Sequence, residues 1–149
     1  MTRTLRLLLF LAGFALVATP AYAQAGYGVR AGVSGDPDQF FFGGHIETRP
    51  IIRNLTFRPN VEIGVGDNVT TVALNIEFAY RLPIDSQNWR IYAGGGPAAN
   101  IYDSEGGSDT QPGFNLLIGG QHRRGLIVEF KLGLIDSPEV KFTVGWALK

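Results

Sequence analysis

Residues 69–82 read Val69-Thr-Thr-Val-Ala-Leu-Asn-Ile-Glu-Phe-Ala-Tyr-Arg-Leu82. From Val72 onward every second residue is large and apolar: Val72, Leu74, Ile76, Phe78, Tyr80 and Leu82. Between them stand Ala73, Asn75, Glu77, Ala79 and Arg81. A period of two belongs to a β-strand, whose side chains alternate between two faces. The stretch therefore fixes a strand and poses a question about its surroundings. In a barrel dissolved in water the apolar face turns inward. In a membrane barrel it turns outward to lipid, and the polar face lines the lumen.

The same pattern recurs along the chain, and no stretch has a helical period of 3.6. Eight strands are predicted: Gly26–Val33, Gln39–Thr48, Leu55–Val65, Val69–Leu82, Trp89–Tyr102, Gly113–His122, Leu126–Ile135 and Val140–Leu148. The longest predicted loop is Asp103–Pro112. Glycines, 20 in all, punctuate the strands and turns. Gly94-Gly95-Gly96 precedes no helix, so it reads as strand curvature and not as a phosphate loop.

Turn lengths test this reading, because residues paired across a hairpin share a face. The third strand carries its apolar set on odd positions (Leu55, Phe57, Val61, Ile63, Val65), the fourth on even ones. A two-residue turn at Asp67-Asn68 pairs odd with even, which sets Arg58 opposite Glu77 and Asn60 opposite Asn75. A slip of one residue would place charges against apolar groups. In the sixth and seventh strands both apolar sets are even. The three-residue loop Arg123-Arg124-Gly125 keeps them together, with Gly125 free to take a positive φ.

One face of the predicted sheet carries Arg58, Glu62, Glu77, Arg81, Glu129 and Lys131 among small residues such as Gly64, Ala73, Ala79, Gly119 and Gly133. The other carries Leu74, Ile76, Phe78, Val128, Phe130, Phe142, Val144 and Trp146. Eight strands enclose an interior just wide enough for side chains. The aromatic face would crowd it, whereas small residues and opposite charges would fill it. The expected lumen is thus a charge network with Arg58–Glu77 as its best-defined pair, and the apolar set faces lipid. Strand length agrees, since about 9–11 tilted residues cross a bilayer. Tyr27, Tyr80, Trp89, Tyr102 and Trp146 lie near strand ends, as interfacial girdles do.

The chain ends frame this domain. Arg3 and Arg6, the apolar run Leu7–Val17 and Ala21-Tyr22-Ala23 have the form of a secretory signal peptide over residues 1–23. Residues 24–149 then form one barrel domain. Without Arg3 and Arg6 the 13 basic side chains fall to 11 against 13 acidic ones, a net charge of −2. That balance offers nothing to nucleic acid. The chain has no cysteine, so it has neither disulfides nor thiolate metal sites.

Little chemistry is on offer. Neither His45 nor His122 stands at metal-ligand spacing, and His45-Ile-Glu47 reads as a polar lumen pair. Ser34, Ser86, Ser104, Ser108 and Ser137 all fall in predicted turns, away from any strand-borne histidine. No catalytic residue, cofactor or metal is expected.

Three segments carry a family likeness: Trp89-Arg-Ile-Tyr-Ala-Gly-Gly-Gly-Pro97, Gly113-Phe-Asn-Leu-Leu-Ile-Gly-Gly120 and Val140-Lys-Phe-Thr-Val-Gly-Trp-Ala-Leu148. With them the mature chain resembles the small outer membrane β-barrels of Gram-negative bacteria, the opacity-porin and outer-membrane-protein-A-like superfamily. The resemblance implies an eight-stranded antiparallel up-and-down transmembrane barrel in the bacterial outer membrane. It also implies a structural or surface-interaction role, with outer membrane lipid and the barrel assembly machinery as partners. Such barrels usually end in an aromatic residue, but this chain ends Leu148-Lys149: either Trp146 substitutes or the assembly signal is weak. Two other functions compete: a soluble exported barrel holding a small hydrophobic ligand, and a lipid A-modifying enzyme.

Overall fold

The computed structural model describes residues 26–148. The predicted signal peptide and Lys149 lie outside them. Eight antiparallel strands form a closed barrel in sequence order: β1 (Gly26–Gly35), β2 (Gln39–Glu47), β3 (Leu55–Val65), β4 (Val69–Arg81), β5 (Trp89–Ser104), β6 (Gly107–His122), β7 (Leu126–Ile135) and β8 (Val140–Leu148). Pairing of β1 with β8 closes the ring, from Tyr27↔Leu148 to Gly35↔Val140. Closure leaves no strand edge around the main body of the barrel.

Both hairpins that test the alternation have the expected register. β3 and β4 pair Arg58 with Glu77, Asn60 with Asn75 and Val65 with Thr70. β6 and β7 pair Gln121 with Ile127 and Gly119 with Glu129. Gly125 takes a φ of 110°, and its amide donates to the His122 carbonyl at 2.8 Å.

The predicted loop Asp103–Pro112 is instead mostly strand. β5 and β6 run on to Ser104↔Gly107 and leave only Glu105-Gly106 as the turn. Alternation is invisible here because neither face of Gly-Ser-Asp-Thr-Gln-Pro is apolar. Backbone pairing and a positive φ of 127° at Gly107 hold the hairpin instead. Its β6 edge is open over Gly107–Pro112, since β7 pairs β6 only from Gly113 onward, while β4 flanks β5 up to Ser104. Asp109 and Pro112 on the open side discourage further strand addition.

Gly94 and Gly96 lie where β5 presses on β4. A Cβ at either would strike a main-chain carbonyl, that of Phe78 or Ile76. The glycine run therefore permits close strand approach within the wall.

Candidate functional site: the barrel lumen and its mouths

Burial is inverted relative to a protein dissolved in water. Among the described residues 23 large apolar side chains are exposed, including Val33, Phe40, Ile118, Phe142 and Trp146. The buried set holds 18 polar or charged residues and seven apolar ones. Soluble monomers rarely expose such a continuous apolar surface. The pleat explains the sorting: alternate side chains of every strand stand on opposite sides of the wall.

The outer face carries Ile76, Phe78, Phe130, Phe142, Val144 and Trp146, all exposed, with Leu74 and Val128 half-covered by neighbours. Phe57 and Phe78 pack against each other there at 5.2 Å between ring centroids. Tyr27, Tyr80, Trp89 and Trp146 gather at the end of the barrel that bears the chain termini. Tyr102 does not join a girdle. It shares the inner face of β5 with Tyr92 and Asn100, and its hydroxyl donates to the Asp136 carbonyl at 2.9 Å.

Inside, a single network spans the lumen. Lys131, wholly buried, places Nζ 2.8 Å from Glu77 Oε1, 3.1 Å from Glu62 Oε1 and 3.5 Å from Glu129 Oε1. Lys141 Nζ lies 2.8 Å from Glu62 Oε2. Arg30 Nη1 bridges Glu62 and Glu129 at 3.3 and 3.4 Å. Arg58 Nη1 reaches Glu129 Oε2 at 3.3 Å, and its Nε lies 3.6 Å from Glu47 Oε2. Four cations thus face four carboxylates.

Neutral groups complete the network. The Tyr92 hydroxyl donates to Glu129 at 2.7 Å, beneath the Arg58 guanidinium, which lies 4.5 Å above the ring. Asn115 donates to Asn75, Asn75 to Asn60 and Asn60 to Glu77, each at 2.7–2.8 Å. Buried charges are tolerable only when paired and hydrogen-bonded in this way.

Two sequence expectations need correction. Arg58 and Glu77 are register partners, but no ion pair joins them. Arg58 turns to Glu129 and Glu47, while Glu77 takes Lys131 and two asparagines. Neighbouring side chains on a closed wall both point toward the axis, so each reaches across the lumen to a distant strand. Arg81 is on the inner face but exposed at the mouth, outside the network. Sequence reasoning also missed Arg30, Lys141, Glu47 and the asparagine ladder. Parity alone would have placed Arg30 and Lys141 inward, since Val29, Ala31 and Val33 or Val140, Phe142 and Val144 alternate with them.

His45 is buried on the inner face two positions from Glu47, and neither ring nitrogen has a hydrogen-bond partner among the described residues. Several serines serve turns. Ser34 donates to the Pro37 carbonyl, Ser104 to that of Gly107, and Ser86 accepts from the Trp89 amide.

The two ends differ in charge. The end bearing the termini carries Arg49, Arg53, Arg81, Arg90, Arg123 and Arg124 against Glu47 and Asp85 in its turns and strand ends. The far end carries Asp36, Asp38, Asp67, Asp103, Glu105, Asp109, Asp136 and Glu139, with the buried Lys141, second residue of β8, as the one lysine or arginine near it among the described residues.

No family model matches the chain, and no curated protein does. Among solved structures, the N-terminal β-barrel domain of Pseudomonas aeruginosa OprF is similar, with a TM-score of 0.59 at 14% identity over 84% of this chain and 98% of that domain. Ail, the attachment invasion locus protein of Yersinia pestis, aligns with a TM-score of 0.41 at 10% identity over 83% of this chain and 90% of that one. The likeness to OprF is one of fold, the eight-stranded barrel that the resemblance implied. The likeness to Ail is too distant to add to it.

Proposed function

We propose that the mature chain is an integral outer membrane barrel with a structural or surface-interaction role, its lumen closed by a charged side-chain network and not an open pore. The observation that carries this reading is the inversion itself: an apolar outer wall around a paired, charged interior. An eight-stranded wall leaves no aqueous channel once its interior is filled by side chains. Leu74, Ile76, Phe78, Val128, Phe130, Phe142, Val144 and Trp146 are then the lipid-contacting set.

The turns at the far end are short, 36–38, 66–68, 105–106 and 136–139. Any surface contact on that side therefore falls on the acidic rim and the open β6 edge of the β5–β6 hairpin. A soluble barrel for an apolar ligand requires an apolar interior, which the lysine, arginine and glutamate lining opposes. A lipid-modifying hydrolase requires a nucleophile beside a base on a strand, whereas the hydroxyls of Ser34 and Ser104, at the ends of β1 and β5, and of Ser86 bond main-chain groups at the turns.

The test uses washed outer membranes from an expressing cell, run on gels with and without boiling. A membrane-bound band that shifts on heating is the expected result. A band in the soluble fraction with no heat shift would reverse the assignment of the faces.

A further inference from the structure

The mouth at the terminus-bearing end holds a cavity of about 50 Å³ lined by Glu47, Thr56, Arg58, Arg81, Arg90 and Tyr92, with Gln121 at its edge. Three guanidinium groups meet one carboxylate there. Glu47 is taken by Arg58 Nε at 3.6 Å. Arg90 donates to Gln121, a neutral amide, at 3.0 Å. Arg81 has no carboxylate partner among the described residues. Arg58 is only 3% exposed, yet its Nη2 makes no hydrogen bond. Two positive charges therefore converge on this cavity without a counter-charge, beside a buried donor without an acceptor.

We propose that this cavity is a binding site for one small oxyanion of the phosphate class. Guanidinium groups present paired donors that match the oxygens of such an anion, and charge-assisted hydrogen bonds are the strong ones. Size sets the ligand class. A water needs roughly 10–15 Å³ of such space, so the cavity suits a few waters or one tetrahedral oxyanion. It excludes a nucleotide. The Arg81 and Arg90 guanidiniums form the cradle, with Arg58 also lining the cavity and Glu47 3.6 Å from its Nε. The site lies on the lumen side of the wall, so the ligand is a free ion and not a lipid headgroup reached across the rim. This assignment goes beyond the structural role proposed above, and the heat shift of the same sample reports on that role separately.

The experiment uses the mature chain folded in an alkyl glucoside, a detergent without phosphate. Inorganic phosphate is titrated by calorimetry at constant ionic strength. Saturable binding of one phosphate per barrel is expected. Arg81→Gln with Arg90→Gln, both at an exposed mouth where folding is insensitive, weakens it by about tenfold or more. Arg49→Gln with Arg53→Gln, on the same rim but outside the cavity, leaves it unchanged. Three results would overturn the site. One is no saturable binding by a barrel that still shows its heat shift. Another is equal loss in both double variants, which would mean diffuse rim attraction. The third is an effect only in vesicles containing phosphatidylglycerol, which would assign the arginines to lipid headgroups.

Discussion

Replacing Lys131 by methionine removes one of four lumen cations and leaves four carboxylates facing three. The loss falls unevenly. Glu62 keeps Arg30 and Lys141, and Glu129 keeps Arg30 and Arg58. Glu77 keeps no cation, only the side-chain amides of Asn60 and Asn115 at 2.7 and 3.4 Å. Breaking a buried pair by deleting one partner costs about 3–5 kcal/mol, because the remaining charge is left uncompensated. Lys131→Met is expected to cost that much. Glu77→Gln added to it restores much of the loss, because the orphaned charge is then absent. The assay is urea unfolding in detergent micelles, followed by tryptophan emission and by the gel shift. The reasoning is refuted if the two single costs simply add to within about 0.5 kcal/mol, the behaviour of independent sites.

Other perturbations probe the wall and its turns. Val128→Lys sits on the outer face between Gly120 and Val144 in register, and is expected to cost about 2–4 kcal/mol of stability in a bilayer; normal assembly and unchanged unfolding would contradict the lipid-facing assignment. Gly96→Val forces β5 away from the Ile76 carbonyl and is expected to cost about 1–3 kcal/mol or more, read as a lower urea midpoint. Lys141→Met leaves Glu62 with two cations, so its cost in the same assay is smaller than that of Lys131→Met. Gly107→Ala forces a side chain onto a φ of 127° but lies outside the closed body; amide exchange is expected to loosen at the hairpin tip while the heat shift persists.

Much of the wall was legible because alternation and turn length constrain each other. Val72 to Leu82 shows a face, and the parity switch across Asp67-Asn68 fixes a register; both are local. The hairpin at 103–112 was missed because Ser108, Asp109, Thr110 and Gln111 alternate nothing. A strand that faces water on both sides leaves no hydrophobic record. The ion partners were hidden for a different reason. Hairpin logic yields neighbours in the wall, while Arg30 reaches Glu62 over Gly43 of the strand between them and Lys141–Glu62 joins strands brought together only when the sheet closes. The register even sets Lys131 opposite Lys141, like charges on adjacent strands. That pair is tolerable only because Glu62 comes between them from the far wall, 3.1 and 2.8 Å from the two ammonium groups.

The seam between β1 and β8 is hydrogen-bonded like every other, with Tyr27 beside Leu148. In its ladder the barrel therefore has no first strand; it is a ring that the chain happens to open at one place. A short linker from residue 148 to residue 26, of the length that Arg123-Arg124-Gly125 spans next door, would let new ends be cut at that turn. Such a rearranged chain keeps every pairing, every inward charge and every outward apolar group, while strands in contact exchange early synthesis for late. Order of emergence and final architecture become separable variables. Comparing the assembly rates of the two chains would show whether this wall is built from one end or closes all at once.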